Sequence, residues 1–149
     1  MKTVFIGIDP DVDKSGFAIY DASKKKLTRV CCMRFFEIME FLQIQNVDFV
    51  DKAFVRIEAG WLNKSNWHTR KNDGVKIASA KGNSVGRNHE VGRKFGEMCE
   101  YLGFDYEFVK PLGTKNIDRA TFIRLTDYRC GCNQDARDAS MLVYGINNK

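Results

Sequence analysis

No apolar run in this 149-residue chain approaches the roughly 18 to 20 residues that a membrane-crossing helix needs. Nor does the N-terminus show a basic region, an apolar stretch and a cleavage site in succession, so a cytoplasmic protein with no membrane partner is expected. Linkers, internal repeats and low-complexity segments are absent too, and the length suits one domain, residues 1–149, with a continuous core. Cysteine is present without pattern. Cys31, Cys32, Cys99, Cys130 and Cys132 are an odd number, which argues against a disulfide framework. Cys31-Cys32 and Cys130-Gly131-Cys132 also lack the C-x₂₋₄-C spacing of a zinc site, so they are read as small buried or surface thiols.

What is present is ordinary in amount and unusual in placement. Hydrophobic residues at 44% and charged residues at 29% suit a soluble globular chain, and the net charge of +5 favours an anionic partner. The organising stretch is Val4-Phe5-Ile6-Gly7-Ile8-Asp9, an apolar strand that ends in a lone carboxylate before Pro10. A turn alone would explain Asp9, since Asp-Pro and the later Ser15-Gly16 are both turn signals.

Further along, the chain repeats the arrangement. Strands over residues 3–9, 16–21 and 26–32 read as a meander, with Lys24-Lys25-Lys26 as its polar turn. Phe35, Ile38, Met39 and Leu42 fall at helical spacing and predict a helix over 34–44. The run Ala53-Phe54-Val55-Arg56-Ile57 then delivers a second terminal acid, Glu58. From Gly60 to Asn83 the pattern lapses into a long polar loop, a length that usually signals function or disorder. Val91, Phe95, Met98 and Leu102 predict a helix over 84–102, stopped by Gly103, and residues 104–109 read as a fifth strand. Residues 114–126 are weakly helical. A last helix over 133–146 carries Ala139, Leu142, Val143 and Ile146 on one face, with Asp135 and Asp138 three apart in its first turns.

This is a mixed α/β plan in which Asp9, Glu58 and the pair Asp135/Asp138 can meet at strand ends. Asp135 and Asp138 could instead serve only the positive end of their helix, and Glu58 could be a solvated strand end. Four converging acids repel unless cations stand between them, and hard divalent ions such as Mg²⁺ are the expected answer. Two such ions about 3.5–4 Å apart would suit phosphodiester hydrolysis.

Ile6-Gly7-Ile8-Asp9-Pro10 with Ser15-Gly16, Ile57-Glu58 with Trp61, Val91-Gly92-Arg93, Pro111 with Lys115, and Asp135-Ala136-Arg137-Asp138-Ala139 stand in an order that resembles RuvC-type Holliday-junction resolvases, members of the RNase H-like superfamily. The resemblance spans nearly the whole chain. It implies an RNase H-like mixed five-stranded sheet flanked by helices, and a Mg-dependent endodeoxyribonuclease that uses two Mg²⁺ ions or Mn²⁺. Asp9, Glu58, Asp135 and Asp138 would be metal-binding catalytic acids, and Lys115 would support the scissile phosphate or attacking water. Trp61 resembles the family's base-contacting aromatic, and Arg119 stands where the family often has a second lysine. A homodimer, with helix 84–102 as its interface, and branched DNA as substrate are also implied.

Between residues 61 and 96, Lys64, Arg70, Lys71, Lys76, Lys81, Arg87, Arg93 and Lys94 stand against only Asp73 and Glu90, as a phosphate track requires. Trp61 and Trp67 could stack on unpaired bases, or could pin the loop to the body. His68 and His89 are expected at the surface. Other branched DNA, an RNA–DNA hybrid, or a catalytically silent nucleic-acid-binding module are the alternatives, because fold alone does not decide chemistry.

Overall fold

Alternation along the first strand decides where everything else sits. In the computed structural model, which describes residues 1–63, 74–113 and 116–146, β1 (Val4–Asp9) sends Ile6 and Ile8 to one face of the sheet and Phe5 to the other. It pairs antiparallel with β2 (Ser15–Asp21), which pairs antiparallel with β3 (Lys26–Met33). On its other side β1 pairs parallel with β4 (Ala53–Glu58), and β4 pairs parallel with β5 (Asp105–Val109). The order is β3-β2-β1-β4-β5, a mixed five-stranded sheet flanked by helices in an α/β fold.

Parallel neighbours need crossover connections, and two helices supply them. Helix α1 (Phe35–Phe49) links β3 to β4, and α2 (Val75–Leu102) lies between β4 and β5. Ile38 and Leu42 of α1, with Phe95, Met98, Cys99 and Leu102 of α2, close a core over Ile6, Ile8, Phe17, Val55 and Ile57. The opposite face carries Phe5, Ala18, Tyr20 and Leu27. It is covered by α3 (Arg119–Thr126) through Phe122 and by α4 (Gln134–Met141) through Ala136 and Ala139, with Leu142 and Val143 just beyond.

The contact between α4 and the sheet is made through missing side chains. A Cβ on Gly7 would run into the carbonyl of Ala139, and one on Gly16 into the carbonyl of Asp135. Glycine at both positions lets the helix backbone lie directly on the strands.

Several boundaries differ from the sequence pattern. The polar stretch expected as a loop to Asn83 contains a short 3-10 turn, Gly60–Leu62, and α2 begins at Val75 rather than near residue 84. Apart from the half-buried Lys81, the described side chains over 75–84 are exposed, so Val75 and Ile77 among polar residues give no helical periodicity to read. Helix α1 runs on to Phe49, five residues past its expected end at residue 44. Helix α3 starts only after Asp118, whose carboxylate accepts from the Thr121 amide at 2.9 Å, rather than at residue 114. Helix α4 ends at Met141, and the residues after it are turns.

Gly7→Ala or Gly16→Ala should therefore lower the unfolding free energy by about 1–3 kcal/mol, read as a lower urea midpoint. Gly82→Ala, in an exposed turn of α2 with open space around it, should raise stability by about 0.5–1 kcal/mol.

Candidate active site at the carboxyl edge of the sheet

Asp9 and Glu58 end neighbouring parallel strands one position beyond the paired Ile8 and Ile57. Counting by twos, Asp9 shares its face with Phe5 and Gly7, and Glu58 shares its face with Arg56, which is the face that α4 covers. The first turns of α4 bring Asp135 and Asp138 to the same place. All four acids line one cleft of about 400 Å³, together with Asp11, Trp61, Asn88, His89 and Asn116. Asp9, Glu58 and Asp138 are buried at 7%, 8% and 4% exposure, an environment that carboxylates accept only with compensating partners.

Helix α4 is held firmly at both ends. Its N-cap Asn133 accepts from the Ala136 amide at 3.0 Å and from the Cys32 thiol at 2.9 Å. At the far end, Arg56 donates to the Leu142 carbonyl at 3.2 Å while its Nε reaches Glu107 at 2.6 Å. Within the helix, Asp138 Oδ1 accepts from the Gln134 side-chain amide and from the backbone amide of Asn116, each at 2.8 Å. Arg137 sets the direction of the Gln134 amide by donating to its oxygen at 2.7 Å, and it also binds the carbonyls of Cys132 and Ile117 at 2.8 and 3.2 Å. Asn116 itself sits at φ 64°, in the left-handed region. One buried acid thus fixes the backbone immediately after Lys115.

The opposite wall is built on Trp61. Its ring stands edge-on to Phe108 at 5.0 Å and to His89 at 5.7 Å, and the Arg93 guanidinium lies over it at 4.8 Å. Gly92 leaves room for that ring, because a Cβ there would stand 2.8 Å from it. Asp11 connects this wall to the β1–β2 turn: Oδ1 accepts from the Asp13 amide at 2.9 Å and Oδ2 from the Asn88 amide at 3.4 Å. Asn88 Oδ1 is buried with no hydrogen-bond partner among the described residues.

Of the other residues singled out in the sequence, Lys76 and Arg87 are exposed along α2, Arg119 is exposed at the start of α3, and Lys81 is half-buried. None of these four lines the cleft. Lys64, Trp67, His68, Arg70, Lys71 and Lys115 lie outside the described residues. His89, expected at the surface, is instead half-buried in the cleft wall. Asp11, Asn88, Asn116 and Gln134 escaped the sequence reading altogether. The available signal was the spacing of Val85, Asn88 and Gly92, three and four apart, which puts polar groups on the helix face that meets Trp61.

Four carboxylates in one cleft are the hard oxygen donors that a divalent cation of the Mg²⁺ kind takes, so the donor set fits such an ion. Among the described residues, no three His, Cys, Asp or Glu side chains already enclose one.

No protein-family model matches the sequence, and no curated protein matches it. A solved structure of T. thermophilus RuvC in complex with a Holliday junction substrate does match, with TM-score 0.52 over 94% of this chain and 89% of that one. The fold is that of RuvC. Identity to that structure is 13%, so the likeness lies in the path of the backbone. A further Thermus thermophilus RuvC structure aligns over 93% of this chain and 92% of its own at 10% identity, with TM-score 0.45. Along this RuvC-like sheet the cleft lies outside the carboxyl ends of the parallel strands, where open α/β sheets bind ligands.

Arg137→Leu should strand the carbonyls of Ile117 and Cys132 and release the Gln134 amide, costing about 1–3 kcal/mol of stability in urea unfolding. The Asn116 amide should lose hydrogen-exchange protection in Asp138→Ala.

Proposed function

We propose that the protein is a metal-dependent, structure-selective endonuclease that resolves four-way DNA junctions by phosphodiester hydrolysis. The observation that supports this most is the gathering of carboxylates from β1, β4 and α4 into one cleft on a RuvC-like sheet. The T. thermophilus RuvC was solved with a Holliday junction substrate, which makes branched DNA the first substrate to try.

Asp9, Glu58, Asp135 and Asp138 would hold two Mg²⁺ ions, with Mn²⁺ as a substitute, since such ions are held by few carboxylates and by substrate phosphate. When bound, the pair supplies an activated water and stabilises charge on the leaving oxygen. The chain's own groups then position the strand. Asp138, through Asn116, keeps the segment after Lys115 against the cleft, and Lys115 is assigned to the scissile phosphate or the attacking water. Trp61, with Arg93 over one of its faces, walls the cleft where an unpaired base at the crossover would stack. Lys64, Trp67, Arg70, Lys71, Lys76, Lys81, Arg87 and Arg119 are assigned to the surrounding DNA track, whose phosphate contacts would make binding strongly salt-dependent. A homodimer making paired cuts belongs to the same reading. Val75 and Ile77, 88% and 54% exposed at the start of α2, offer apolar surface for it.

The test is cleavage of junction, flap, duplex and RNA–DNA hybrid substrates at equal salt. Junctions should be cut with Mg²⁺ or Mn²⁺, and EDTA or Asp9→Asn should abolish cutting while junction binding persists. Junctions left intact under both metals would overturn the proposal, and preferential cutting of the hybrid would reassign the substrate.

A further inference from the structure

A second cleft, of about 430 Å³, adjoins the first. Asp11 and Asp135 line both, so they form the ridge between them. Beyond the ridge stand Lys14, from the β1–β2 turn, and Arg34, the residue that precedes α1. Both are exposed, and neither side chain is in an ion pair among the described residues, although Asp11, Asp13 and Asp135 share the cleft with them.

The surrounding polar groups are engaged with one another. Asp11 accepts from the Asp13 and Asn88 amides, Ser15 Oγ and the Asp11 backbone exchange hydrogen bonds at 3.0 and 3.2 Å, and Cys32 is bonded to Asn133. The Arg34 backbone amide is taken by Glu37 at 2.6 Å, which fixes where the Arg34 side chain starts. Among the described residues, the side chains left uncommitted are the Lys14 and Arg34 cations and the exposed Asp13 carboxylate, a net positive set. A shallower groove beyond Lys14 carries Glu37 and Glu40 as well as Arg29, so the cationic path ends there.

We propose that this second cleft is a phosphate-binding subsite for the DNA strand as it leaves the candidate active site, with Lys14 and Arg34 contacting the one or two backbone phosphates that flank the scissile one. The inference rests on the nuclease reading and adds the direction of the strand. A strand held over the acids must continue on both sides of them. On one side it meets Trp61, His89 and α2; on the other the ridge drops into this cleft, where the Lys14 and Arg34 cations outnumber the one unpartnered carboxylate, Asp13. The subsite is short, so it positions the strand near the reacting phosphate and leaves the bulk of junction affinity to other contacts.

The experiment compares wild type, Lys14→Gln/Arg34→Gln, and a control of equal charge change, Lys25→Gln/Lys26→Gln, at the exposed end of the β2–β3 turn and the start of β3. Four-way junction affinity is measured against salt without divalent metal. The slope of log affinity against log salt should fall by roughly 0.9 to 1.8, for one or two phosphates released, in the double variant and stay unchanged in the control. Junctions with neutral methylphosphonates at the phosphates flanking the cut then localise the contact. They should weaken wild type and leave the double variant unmoved, the non-additivity expected of groups that touch. Equal slopes in variant and control, or the same methylphosphonate penalty in both proteins, would overturn the subsite while wild-type cutting keeps the nuclease reading intact. Wild-type protein that neither binds nor cuts junctions would remove both.

Discussion

Backbone-on-backbone contact between α4 and the sheet is the constraint from which the rest follows. Gly7 and Gly16 sit under the carbonyls of Ala139 and Asp135, at distances that no side chain could tolerate. Had either been alanine, the helix would have to lift, and Asp135 and Asp138 would rise with it away from Asp9. The same face confirms the economy of the arrangement: Ala18 and Ala136 are small where the helix crosses, and the large residues Phe5, Tyr20, Leu142 and Val143 fill the flanks. Close approach and carboxylate convergence are therefore one requirement, met by the choice of small residues.

Gathering buried acids works against stability, and the structure shows where the opposition is absorbed. Asp138 accepts two hydrogen bonds, from Gln134 and the Asn116 amide, and Asn133 caps the helix that carries it. Asp135 lies in the first turn of α4, where the helix dipole favours a negative charge. Arg56 reaches across to the Leu142 carbonyl and keeps the other end of the helix down. The Arg56–Glu107 ion pair is partly exposed, so its own contribution is modest and its value lies in aiming the guanidinium. The network thereby links α4 to β4, β5 and the segment after Lys115.

Much of this was legible in the chain. Strand ends at Asp9 and Glu58 and the meander came from short apolar runs, since β1 and β2 are buried on both faces, and the terminal helix with Asp135 and Asp138 came from helical periodicity. What periodicity could not reach were residues whose role depends on contact across elements. The upper half of α2 buries little, so its start at Val75 was invisible; His89 read as a surface residue within a polar run, and Asn88 drew no reading at all. Asp11 passed without notice beside the Asp9-Pro10 turn; its carboxylate accepts from the Asp13 amide, and it lines both clefts because of where α2 passes. Gln134 offered no signal at all, because its partners, Arg137 and Asp138, matter only once Asn116 is brought alongside.

The mixed character of the sheet is what makes one edge serve all these residues. Parallel pairing sends the carboxyl ends of β1, β4 and β5 to the same side, so Asp9 and Glu58 emerge at one level. Antiparallel pairing of β1 with β2 adds the complementary step, since β2 begins at that edge with Ser15 and Gly16. The tight β1–β2 turn, closed by Ser15 Oγ on the Asp11 backbone, keeps Lys14 and Asp11 beside the acids instead of letting a long loop cover them. In an all-parallel sheet a crossover would occupy this ground, and in an all-antiparallel one Asp9 and Glu58 would leave from opposite edges. The combination leaves an edge with acids at its centre, an aromatic wall built on Trp61 on one side, and Lys14 and Arg34 on the other.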